Sequence, residues 1–117
     1  MIYRVGTYRE LSRVATQLPE EIVTAVTGYL RVLDAAYGLV RNWSSVGGYV
    51  VIAETCEEGL QLQKELDIAH RVCEWVQPVG NRFMAVLYLL GDDYSIVMML
   101  PVEAAPMELR KMMEEQQ

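Results

Sequence analysis

Three stretches of this chain are apolar without alternation, and they constrain its fold more than anything else in it. Tyr49 to Ala53, Phe83 to Leu90 and Tyr94 to Leu100 run β-branched, aromatic and aliphatic with no polar face. A strand that wets one side shows hydrophobic residues at every second position; a strand apolar on both sides must be covered on both. These three stretches therefore predict a sheet with helices, or a second copy of the chain, on each face.

Helical signals lie around them. Thr7 followed by Glu10 has the spacing of a capping box, and Tyr8, Leu11, Ala15 and Leu18 then recur at helical spacing, so a first helix is expected from about Tyr8 to Gln17. Leu18-Pro19 interrupts it, because proline suits the first position of a new helix and disfavours the α region for its predecessor. Glu20 and Glu21 then complement the dipole of a second helix. Ile22, Val26, Tyr29, Leu33 and Ala36 form its stripe, and Gly38 ends it.

A second capping box, Thr55 and Glu58, opens a third helix through about Leu66, with Gly59, Leu62 and Leu66 on one face. Val72 to Gln77 is a more polar strand closed by Pro78 and suits an edge. Gly91-Asp92-Asp93 is turn chemistry between two apolar strands, and Pro106 begins a last helix to about Glu115. Ile2 to Val5 is too short for firm assignment and has the length of a brief strand at most. The expected fold is one α+β domain: a mixed sheet of about four strands, packed by about four helices, in the order α-α-β-α-β-β-β-α. If the strands flanking the Thr55 helix share the sheet, that unit makes a right-handed crossover and a parallel pair.

Composition narrows the class of function. With 52% hydrophobic and 22% charged residues, 117 residues suffice for a core without staples. No apolar run approaches the length of a membrane span, and no secretion signal opens the chain, so a cytoplasmic protein with no membrane contact is expected. Two distant cysteines, Cys56 and Cys73, and one histidine leave no disulfide framework, no zinc pattern and no expected cofactor. The net charge of −6 is uneven: residues 1–50 carry five basic and four acidic side chains, residues 51–117 five and twelve. Such a chain repels phosphate backbones, so nucleic-acid binding is not expected, although the acidic half suits a decoy of a nucleic-acid-binding protein.

No catalytic set assembles from the sequence. Cys56 falls in the first turn of the Thr55 helix, where a dipole favours a thiolate, but His70 is a helix length away. Glu57 and Glu58 are accounted for by capping; Glu54, which extends an apolar strand, is not. There is no glycine-rich phosphate loop, and Ser44-Ser45 lacks the context of a nucleophile elbow. The alternative is a small enzyme or ligand-binding domain, whose pocket would draw on Trp43, Glu54, Cys56 and Glu74.

Association is the sharper expectation. Five of the seven methionines fall in the last twenty residues. Methionine adapts to partner surfaces, and aromatics such as Trp43 and Trp75 are enriched at interfaces. A non-catalytic interaction or regulatory protein follows, most simply a homo-oligomer joined through Met98, Met107, Leu109, Met112 and Met113, with another protein as a further partner.

Overall fold

The computed structural model describes residues 1–37, 47–66, 72–89 and 94–115. Strand β1 (Ile2–Val5) leads into helix α1 (Tyr8–Val14), which tightens into a 3-10 turn at Ala15–Gln17, and then helix α2 (Glu20–Tyr37). Strand β2 (Gly47–Ala53), helix α3 (Cys56–Leu66), and strands β3 (Val72–Val79), β4 (Phe83–Leu89) and β5 (Tyr94–Pro101) follow. A 3-10 turn at Val102–Ala104 and helix α4 (Met107–Glu115) complete the order.

The elements form one mixed sheet of five strands in the order β1-β2-β5-β4-β3. The count exceeds the expected four because Ile2–Val5 pairs antiparallel along β2, from Ile2 opposite Ala53 to Val5 opposite Val50. The crossover through α3 also lands differently. β3 shares the sheet and runs in the same direction as β2, but β5 and β4 lie between them, so the parallel neighbour of β2 is β5. The polar strand does take an edge. Pro78 sits near its end, and a register shift between Cys73 and Trp75 marks a bulge at Glu74. The three strands with least polar character, β2, β4 and β5, take the interior positions.

Each face of this sheet is covered by helices of the same chain. Val50, Ile52, Val97, Met99, Phe83 and Ala85 point toward α1 and α2, where they meet Leu11, Ile22, Val26 and Leu30. Val51, Ala53, Met98, Leu100, Met84 and Val86 point the other way and meet Leu62 of α3 and Leu109 of α4. The alternation along each strand thus separates two cores, and the lack of a polar face in the sequence is the signature of both.

Local chemistry fixes the helix starts. The Glu10 amide donates to Thr7 Oγ1 at 3.1 Å, and the Glu10 carboxylate accepts from the Gly6 amide at 3.0 Å, one residue earlier than the standard box. At α3 the Glu58 amide donates to Thr55 Oγ1 at 3.2 Å, while Glu58 Oε2 accepts from the amides of both Glu54 and Thr55. Tyr29 of α2 stacks against Trp75 with ring centroids 5.5 Å apart, which seats α2 on the β3 edge.

Candidate functional site

Glu54 leaves the carboxyl end of β2 and enters the α3 cap. Its amide is held by Glu58, as above. Its carboxylate lies beside Tyr3, whose phenol is pushed above its ordinary value first by burial and then by that carboxylate. The buried strand therefore ends in an acid because the acid has a structural setting there: a cap on one side and a phenol on the other.

Beyond the carboxyl ends of the parallel strands β2 and β5 lies a cleft of about 420 Å3, lined by Glu54, Cys56, Asn81, Arg82, Pro101, Val102 and Glu103. Cys56 is exposed as the first residue of α3. Asn81 and Arg82 come from the β3–β4 turn, where Gly80 holds a φ of 61°, a left-handed conformation that suits glycine. The Arg82 guanidinium lies 5.3 Å from the centroid of the Phe83 ring, a cation–π contact that holds the charge against a buried aromatic. Arg82 also accepts a backbone hydrogen bond from Val102 at 2.9 Å, tying the turn to the exit of β5.

Of the four residues expected at a pocket, the cleft brings together Glu54 and Cys56. Trp43 lies outside the described residues. Glu74 sits on the β3 edge at the bulge, level with Tyr88, Ile96 and Tyr49 at the other end of the sheet. Three strand spacings separate β3 from β2, about 14 Å across the sheet, so Glu74 belongs to a different place. Asn81, Arg82 and Glu103 were not anticipated. The available signal was Gly80-Asn81, a turn pair directly after the β3 strand.

The methionine-rich segment divides. Met98 is 0% exposed within β5, and Leu109 is buried under α4. Both are core, because α3 and α4 already cover that face of the sheet, so neither is open to a second chain. Met112 and Met113 are half-buried against the same core. Leu109, Met112 and Met113 stand at helical spacing and form the stripe by which α4 docks on its own sheet. Met107 is off that stripe and 59% exposed. On α3, Leu60 is 50% exposed. The two helices meet through the second 3-10 turn: Gly59 lies directly against Ala104, and Gln63 donates to the Ala104 carbonyl. Leu60 and Met107 are each within three residues of that contact.

Among the described residues, no group of three His, Cys, Asp or Glu side chains stands together as a metal site, and no helix is long and apolar enough to cross a membrane. Comparison with protein-family models, with curated proteins and with solved structures finds no match to this chain.

Proposed function

We propose that this chain is a small non-catalytic interaction protein that associates with itself through the outer side of α3 and α4. The observation that carries this reading is the pair Leu60 and Met107. Both are large, apolar and at least half exposed; Leu60 follows Gly59, which rests on Ala104 of the 3-10 turn, and Met107 lies three residues beyond Ala104. Sheet edges are poorer contact surfaces here. β1 has only four residues and carries Arg4, and β3 carries Pro78 and a bulge, all features that discourage edge-to-edge pairing.

The charge around this surface makes the reading testable in a second way. From Cys56 to Leu66 and from Val102 to Glu115 the chain has seven glutamates against Lys64, Arg110 and Lys111. Two such surfaces repel, so contact between copies must come from apolar area and must tighten as salt screens the repulsion. The test is sedimentation equilibrium at low and high salt, with the Leu60→Glu, Met107→Glu double variant alongside. A dimer that strengthens with salt and is lost in the folded variant supports the reading. A dimer that weakens with salt, or survives the variant, places the contact elsewhere.

The cleft supports a second reading, a ligand-binding domain, because it unites Glu54 and Cys56 from opposite sides of the α3 cap.

A further inference from the structure

Resting on that second reading, we propose that the cleft beyond β2 and β5 takes a small amino acid, a ligand bearing an ammonium group and a carboxylate on one molecule.

Three charged side chains line the cleft: Arg82, Glu54 and Glu103. A guanidinium and two carboxylates around one small volume would ordinarily neutralise one another. Here they do not: among the described residues the ion pairs are Arg4 with Glu65 and the Met1 amino group with Glu58, and Arg82 has no carboxylate within 4.0 Å. The three side chains come from three different segments: the end of β2, the β3–β4 turn and the 3-10 turn after β5. Arg82 rests on the Phe83 ring and is tied through its carbonyl to Val102. Glu54 is fixed through its amide by Glu58, with Tyr3 beside its carboxylate. Glu103 belongs to the 3-10 turn that Gly59 and Gln63 clamp against α3.

Charges of both signs around one cleft suit a ligand that carries both signs itself. Arg82 offers paired donors to a carboxylate, Glu54 and Glu103 offer acceptors to an ammonium group, and Asn81 can serve either end. A ligand with only one of these groups leaves the opposite side of the cleft unmatched. The volume of about 420 Å3 admits a molecule of this size.

Titrating the isotope-labelled chain with glycine and with 4-aminobutanoate, followed by amide chemical shifts, tests this. Methylammonium and acetate serve as the separated halves. At least one amino acid is expected to produce saturable shifts at residues 54–57, 81–82 and 102–103 in the millimolar range, with each half at least about tenfold weaker. Glu103→Gln, on an exposed turn, should remove that difference while the rest of the spectrum is unchanged, and Arg82→Gln should act likewise. If a half binds as well as the amino acid, the ligand class is overturned and the cleft remains a binding site. If no probe shifts these amides at about 50 mM, the amino-acid ligand class is overturned.

Discussion

Two glycines inside helices should respond to the same substitution with opposite sign. An interior glycine costs a helix about 0.5–1 kcal/mol relative to alanine, so Gly→Ala is favourable wherever a methyl group fits. At Gly28, in the middle of α2, a Cβ would meet nothing within 4 Å. Gly28→Ala should therefore stabilise the chain by about 0.5–1 kcal/mol. At Gly59, on α3, a Cβ would lie 2.7 Å from the Ala104 Cβ, with Leu100 Cβ and Pro101 Cδ at 3.6 Å. Non-bonded carbons settle at about 3.5–4.0 Å, so α3 and the 3-10 turn must separate by about 1 Å. Ala104 cannot yield by rotating a side chain, because its Cβ is fixed to a main chain that Val102 and Gln63 also tether. Overpacking of this kind costs about 1–3 kcal/mol, which outweighs the helix gain. Urea denaturation of both variants reads the difference directly, expected at about 1–3 kcal/mol in favour of Gly28→Ala. Equal stabilisation by both would mean that α3 does not rest on Ala104, and the shared surface around Leu60 and Met107 would lose its foundation.

Other consequences are nearer the surface of the fold. Thr55→Ala removes the side-chain acceptor of the Glu58 amide and should cost about 0.5–2 kcal/mol by thermal or urea unfolding; a neutral result alongside a costly Glu58→Ala would show that Glu58 acts elsewhere than in the cap. Among the described residues the buried Tyr88 hydroxyl has no hydrogen-bond partner, so Tyr88→Phe should be neutral or stabilising by about 1 kcal/mol, and a loss of that size would reveal a partner. Burial raises the phenols of Tyr3, Tyr29 and Tyr88 in the folded chain. Above pH 10 the unfolded chain then loses tyrosine protons that the native chain keeps, so stability present below that pH should fall as pH rises through the native values, tracked by ultraviolet titration with unfolding curves. Alkaline stability that stays flat would contradict the burial of these rings.

The parts of this fold that local chemistry decides were legible in the sequence. Both capping boxes are two side chains acting on amides within four residues, and both appear, with Glu10 reaching Gly6 instead of Thr7. The two-sided apolarity of Val50–Ile52, Phe83–Val86 and Ile96–Leu100 foretold a sheet covered on each face. Long-range pairing was not legible. The four residues of β1 include Arg4 and join the sheet only because β2 offers a free edge. Strand order depends on which pairs meet in space, and the hairpins that place β5 and β4 between β2 and β3 leave no mark in a local window. The methionines misled for a related reason. Leu109, Met112 and Met113 look like surplus apolar area until the sheet beneath α4 is known, whereupon they become its docking stripe. The cleft was half legible: Glu54 stood out as an acid after a buried strand, while Arg82 joins it through a turn some thirty residues away in the chain, and nothing near Glu54 announces it.

Self-association through the outer side of α3 and α4 is tested most directly by the mass of the chain in solution. A contact centred on Leu60 and Met107 is small, so the measurement belongs at high concentration. In sedimentation equilibrium up to about 500 µM at raised salt, the wild-type chain should approach the mass of a dimer, with the Leu60→Glu, Met107→Glu variant remaining folded and monomeric. A wild-type chain that stays at 13.3 kDa throughout would contradict the account, and Leu60 and Met107 would then be ordinary exposed side chains.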